Sequence, residues 1–188
     1  DTKLTAALSS SLDNVAAVLT RFAEPSTGSG IRSVSLTDSV AKGSYAVAIS
    51  SMATSGSKSS SSLSAANTIN SGNDTLKLTI DGVESGTITL AQQSYASLSA
   101  LATELQTKIN ADTTLRAAEK GASVSVVGST IKISSNSVGS TSSIKLNNGA
   151  GDSTLTTLGF DTNVSTNGAD LVGTINGLAG TSAGNILI

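Results

Sequence analysis

The 188-residue chain has no cysteine, no histidine and no tryptophan, and only one proline and one methionine. Each absence removes some chemistry. Without thiols there are no disulfides and no thiolate metal site, and without imidazole the commonest metal ligand and general base are missing. Aromatic residues make up 2% of the chain against 38% hydrophobic residues in total, so Leu, Ile, Val and Ala must do the packing. These side chains bury less area each than Phe or Trp, which predicts thin, small cores rather than one large one. Charge of either sign is also scarce. Eleven basic and thirteen acidic residues leave a net charge of −2, scattered along the chain. No basic cluster is present to neutralise phosphates and no aromatic platform to stack bases, so nucleic-acid binding is not expected. No apolar run approaches the ~20 residues that span a bilayer, and no basic amphipathic helix suggests a membrane surface.

What remains is Ser, Thr, Gly and Asn between short apolar runs. At the start, Leu4, Leu8, Leu12, Val15, Leu19 and Phe22 recur at spacings of three and four. That predicts a helix over 1–23, capped by Asp1 or Thr2, weakened at Ser9–Ser11 and ended by Pro25, Gly28 and Gly30. Two strands follow, one with Val34 and Leu36 and one with Tyr45, Val47 and Ile49. Pairing Leu36 with Val47 and Val34 with Ile49 keeps the apolar sets on one face. The low-complexity run from Ala53 to Ser64, "ATSGSKSSSSLS", reads as an exposed connection.

A second unit begins near Asp74. In "TLKLTI", Leu76, Leu78 and Ile80 alternate with polar residues. The Asp81-Gly82 pair suggests a two-residue hairpin, but that register sets Ser85 and Thr87 opposite Leu78 and Leu76. Pairing Ile80 with Ile88 and Leu78 with Leu90, through a longer loop or a bulge, satisfies the apolar pattern; the longer loop is the preferred reading. Then Leu98, Leu101, Leu105 and Ile109, with Ala102 beside them, form one helical stripe. Ser97 is its expected cap, with Ser94 as the alternative, and Glu104 and Lys108 form an outward i, i+4 pair. A helix this short needs a sheet over its apolar face. The run "GASVSVVGSTIKIS" supplies a hairpin about Gly128-Ser129, in which Val126 faces Ile131 and Val124 faces Ile133. Ile144 and Leu146 mark a further short strand, with "TLTTLGF" packing at its edge. Thr174 to Ala179 reads as one strand bent at Gly177, Gly180 to Gly184 as a turn, and Ile186 to Ile188 as the start of another strand.

The order hairpin, helix ending in Ile109-Asn110, hairpin, over "GTITL", "SYASLSALATELQTKINAD" and "ASVSVVGSTIKISS", resembles the Ile-Asn module of flagellin, hook-filament junction and filament-cap proteins. The resemblance covers roughly residues 72–160. "DTKLTAALSSSLDNVAAVL", with Asp1, Leu4, Ala7, Leu8, Val15 and Val18, and "GTINGLAGTSAGNILI", with Gly173 to Gly177, are similar to segments of flagellar filament-cap proteins (hook-associated protein 2). In many cap proteins the module lies in the N-terminal half, whereas here it follows a C-terminal-type segment, which implies an additional inserted head domain. The family's long coiled helices are missing here. With Asp1 at one end and Ile188 inside an apolar run at the other, the expectation is a trimmed fragment whose targeting signal lies outside it.

The expected fold is α+β, mainly β: small antiparallel sheets with one packed central helix, in two head-type domains plus an N-terminal helical segment. The expected division is 1–24 as a helical segment of the stalk-side domain, 31–58 with 166–188 as a discontinuous β domain, and 70–162 as the inserted module. The resemblance implies an extracellular structural role at the flagellar tip, with flagellin subunits and other copies of the chain as partners. It also implies that Asn110 ends the helix by bonding backbone locally. A flagellin outer domain, a junction protein and a surface adhesin module are the alternatives.

No catalytic, cofactor or metal residue is expected. Lys58 in "SGSK" and Lys108 in "TKIN" read as solvated lysines rather than partners of a nucleophilic serine. Asp161, Asn163 and Ser165 alternate as in a calcium loop, but position six is Thr166 and position twelve is Val172, so 161–170 reads as a return loop. Two Tyr and two Phe offer poor sugar platforms for a carboxylate pair. "GASVSVVG" and "GAGDS" lack a phosphate-loop lysine. Asn73 and Asn163 stand in glycosylation-type sequons read as coincidence.

Overall fold

The computed structural model describes residues 43–64, 67–162 and 164–188. The expected helix over 1–23 and the Val34/Leu36 strand lie outside the described residues. All described elements belong to one compact unit, Tyr45–Ile188. It is mainly β, with small antiparallel sheets.

The first strands in chain order are β1 (Val47–Ser51), β2 (Ser57–Ser59), β3 (Asn67–Thr68) and β4 (Thr75–Ile80). β5 (Val83–Glu84), β6 (Ile88–Thr89) and β7 (Ser94–Tyr95) lead into helices α1 (Leu98–Ala111) and α2 (Thr113–Ala117). β8 (Ala122–Val127), β9 (Thr130–Ser135) and β10 (Ser143–Asn148) precede the short helix α3 (Thr154–Thr157). The chain closes with β11 (Thr166–Asn167), β12 (Val172–Ile175), β13 (Leu178–Ala179), β14 (Ser182–Ala183) and β15 (Ile186–Leu187).

Alternation in β4, β9 and β10 sends one set of side chains inward, so Leu76, Leu78, Ile80, Ile131, Ile133, Ile144 and Leu146 are buried. β10 lies beside β4 with Leu146 opposite Leu78 and Ile144 opposite Ile80. β9 is flanked by β2 and β8. The expected register of the β8–β9 hairpin is observed, with Val126 opposite Ile131 and Val124 opposite Ile133. Helix α1 covers these strands with Leu98, Leu101, Ala102, Leu105 and Ile109. Ser97 caps it, its hydroxyl accepting from Ala100 N at 3.2 Å. Each such leucine contributes about 2 kcal/mol of burial. The expectation of several thin cores is corrected. The buried apolar residues from Ile69 to Phe160 form one cluster, because α1 fills the space between the sheets.

Four further corrections concern local structure. Asp81 and Gly82 do form a tight turn, with φ of +50° and +85°, and Ile80 pairs with Val83. Ser85 then sits by Leu78, and one extra residue before Ile88 brings that residue opposite Leu76. The apolar pattern is thus restored by a bulge, not by the longer loop, and the expected pairs Ile80–Ile88 and Leu78–Leu90 do not form. The polar Ser85 is tolerated because its hydroxyl accepts from Leu78 N at 3.1 Å and donates to Gly86 O at 2.7 Å.

The serine-rich run is not an exposed connection, since Ser57–Ser59 pairs with β9. Gly56 enters so tightly that a Cβ there would stand 2.6 Å from Ser143 Cα and 2.6 Å from Thr166 O. The segment Thr174 to Ala179 is a hairpin, with Asn176 and Gly177 at φ of +51° and +80° and Ile175 opposite Leu178. "TLTTLGF" forms α3 and its continuation, which place Leu155, Leu158 and Phe160 inside the core rather than at a strand edge.

β1 pairs with β12, Val47 opposite Ile175 and Ile49 opposite Gly173. β13 extends that sheet, and the β14–β15 hairpin packs against it through Leu187. An isolated bridge between Thr54 and Ala169 links it to the rest of the unit.

Candidate interaction surfaces

Three aspartates tie the loops together. Asp81, in the β4–β5 turn, accepts from Ser143 N at 2.9 Å, Ser137 Oγ at 2.8 Å and Ser135 Oγ at 3.0 Å. Lys120 Nζ stands 3.7 Å away. Burial pushes its pKa up, but the hydrogen bonds and Lys120 together outweigh that and hold it below the ordinary value. Asp152 accepts from the N–H and hydroxyl of Thr75 at 2.9 and 2.7 Å, and from those of Thr154 at 3.0 and 2.7 Å. Burial again opposes the shift, yet these donors lower the carboxyl to about 2. Asp170 is held down chiefly by the Ser140 hydroxyl at 2.7 Å, then by the N–H groups of Ser140 and Gly184.

A carboxylate saturated with donors and titrating below its usual range is a poor proton acceptor at neutral pH and holds no proton to give. These residues act as loop fasteners. Among the described residues no group of three or more acidic side chains is placed to hold a metal ion.

The remaining polar residues raised by the sequence are also structural. Lys108 stands 3.8 Å from Glu104. Lys58 is not the solvated lysine expected, because its place on β2, beside β9, buries it. Asn73 is buried, its side chain accepting from Asn70 N and donating to Thr68 O. Asn163 lies outside the described residues. Of the residues 161–170, Thr166 and Asn167 pair with β10. Asn110 departs from the expected local role. Its Oδ1 accepts from Ala122 N at 3.2 Å, twelve residues on. The helix ends one residue later, and Asp112 starts α2 by accepting from Leu115 N at 2.9 Å while its other oxygen accepts from Gly86 N. Asp112 carried no sequence signal beyond its place after an Ile-Asn-Ala run, and its role depends on Gly86 being near.

Two surfaces could receive a partner. On the β1–β12–β13 sheet, Val47 and Ile49 are about 40% exposed, and Leu178 is 76% exposed. Beside them Ile186 and Ile188 are exposed at 62% and 76%. The second surface is a groove of about 410 Å³ between α1 and β8, lined by small and uncharged residues such as Ser99, Ala102, Thr103 and Val126.

No protein-family model and no curated protein sequence matches the chain. Among solved structures, the likeness is to flagellar cap proteins. The D2-D3 domains of FliD from Serratia marcescens align over 79% of this chain and 81% of that one, at 17% identity and a TM-score of 0.47. A second crystal form of the same domains aligns over 75% and 77%, at 20% identity and a TM-score of 0.47. The D2-D3 domains of FliD from Escherichia coli align over 79% and 78%, at 15% identity and a TM-score of 0.45. At TM-scores below 0.5 these likenesses assign neither family nor role.

Proposed function

We propose that the chain is a head-domain piece of a flagellar filament cap, a non-enzymatic structural protein at the distal tip that promotes flagellin assembly. One observation carries the reading. The stripe of α1 is buried between hairpins in the order that the Ile-Asn resemblance implies, with Ile109 fully buried and Asn110 fastened to the start of β8. In this reading residues 31–58 with 166–188 make a discontinuous β domain, and 70–162 the inserted module. β2 then marks the crossing between them, and β11 the return. Residues 1–24 belong to the stalk side.

The partners are flagellin subunits and other copies of the chain, outside the cell. The mechanism is steric: rigid surfaces retain exported subunits while they fold and insert, and no bond is made or broken.

The test is deletion of this segment from the complete protein in its own cell. Loss of swimming with flagellin escaping into the medium is the expected result. Normal swimming with unchanged filament length overturns the cap reading in favour of an adhesive or decorative outer domain.

A further inference from the structure

The groove beside α1 exposes part of a strand edge, and the hydrogen bonds around it show which part. Among the described residues β8 is the outer strand of its sheet. Opposite Val126, the N–H and C=O of Ile131 are turned the other way, to Ser60 Oγ at 2.9 Å and Ser60 N at 2.9 Å. Val126 and Ile131 are therefore a non-hydrogen-bonded pair, and the backbone groups of Val126 point away from β9. By the two-residue period the same holds for Val124 and Ala122.

Along the first half of this edge the helix supplies the missing neighbour. Gln106 Nε2 donates to Ala122 O at 2.6 Å and its Oε1 accepts from Val124 N at 2.6 Å, while Asn110 accepts from Ala122 N. One carboxamide thus imitates an adjacent strand. The imitation stops there: Val124 C=O accepts no hydrogen bond, and the N–H and C=O of Val126 make none, among the described residues. Nothing blunts this end of the edge, which carries no charge, proline or bulge before the Gly128-Ser129 turn.

We propose that the open end of β8 docks a short, extended, uncharged segment of a partner protein as an added antiparallel strand. Three backbone groups set the length, and the hydroxyl and methyl groups of Ser99, Ala102 and Thr103 favour small side chains without charge. A contact of this length buries far less than the ~1,200 Å² of a lasting protein–protein interface. Pairing with β8 of a second copy would therefore not persist, whereas an extended segment can be held briefly and released. This inference does not rest on the cap reading.

The experiment follows backbone amide exchange by NMR in the 188-residue chain, titrated to millimolar concentration with the capped peptide Thr-Val-Thr-Val-Thr. Exchange at Val126 should slow several-fold, with shifts confined to 124–127 and 99–103. The same peptide with alternate N-methylated amides should have no effect. Val126→Pro removes an N–H that faces away from β9 and should abolish the peptide-induced shifts at 99–103 while the β8–β9 ladder stays protected. Gln106→Leu frees Ala122 O and Val124 N, lengthens the open edge and should tighten binding. Unchanged exchange at Val126 in the parent and in Gln106→Leu overturns the proposal. So does protection that rises with protein concentration alone, since the occupant is then a second copy.

Discussion

Two regions of this unit are written in the same alphabet and meet different fates. In β4, β9 and β10, alternating Leu and Ile end fully buried, whereas in β1 the equally regular Val47 and Ile49 remain about 40% exposed. The difference is not in the strands. It is α1, whose stripe lays a second layer over the first set, while among the described residues the β1–β12–β13 sheet receives only the two-residue strands of β14–β15. Leu187 does reach over Gly173 and Gly180, where a Cβ would stand 3.0 and 2.5 Å from its methyl carbons. That contact covers a small part of the face. Alternation specifies which side of a strand is apolar, and the element packed on it decides whether that side leaves water.

The most forceful way to break this comparison is to truncate one leucine in each region. Leu105→Ala empties a fully buried site under α1 and should cost about 3 kcal/mol. Leu178→Ala, at 76% exposure, should change stability by less than about 0.5 kcal/mol. Urea midpoints of both variants decide the matter. Equal losses would mean that the β1–β12–β13 face is covered in solution and that the contrast between the regions is false.

This contrast also marks what the sequence reveals. The α1 stripe and the β8–β9 register were legible because two independent signals agree in each: period and cap in one, turn chemistry and facing valines in the other. The β2 strand was not. Its "SKS" has no apolar alternation, and its place depends on Gly56 slipping between backbones. The turn at Asp81-Gly82 was visible and a bulge was one of two readings left open, but its place after Ser85 was not legible, because it depends on the Ser85 hydroxyl meeting Leu78 N across the strand pair. The open end of β8 was equally hidden. It exists because Gln106 is just long enough to close the edge at Val124 and too short to reach Val126.

A smaller effect sharpens the comparison through pH, because the core region carries its own fastener. Asp152 joins the start of β4 to α3, and its folded pKa of about 2 lies below the ~3.9 of an unfolded aspartate. A lowered folded pKa gives stability that is fully present above the unfolded value and lost as pH falls from about 4 toward 2. Asp81 and Asp170 shift in the same direction. Asp152→Asn should cost about 1 kcal/mol at pH 7, the carboxylate being partly in water. It should also reduce, without abolishing, the fall in urea midpoint between pH 4.5 and 2.5 (roughly the window bracketed by the two pKa values). An unaltered pH slope would show that the donors from Thr75 and Thr154 do not hold the charged form.

The smallest effect has the opposite sign. Among the described residues three non-glycine residues sit at positive φ: Asp81 at 50°, Asn176 at 51° and Glu119 at 55°. Two are compensated. Asp81 gathers the donors described above, and Asn176 accepts from Ala46 N at 2.8 Å through its side chain, fastening β12 and β13 to the residue before β1. Glu119 closes α2, where its N–H donates to Arg116 O and the next N–H to Leu115 O, the geometry in which glycine usually ends a helix. Its exposed side chain receives no compensating hydrogen bond among the described residues. Glu119→Gly should therefore stabilise the unit by about 0.5–1 kcal/mol, the relief of the left-handed conformation exceeding the extra freedom glycine gains on unfolding. Asp81→Gly, which relieves the same backbone but discards the hub, should destabilise it. Thermal midpoints moving in opposite directions for the two variants would show that Asp81 is kept for its carboxylate, and a shared direction would reduce both residues to turn formers.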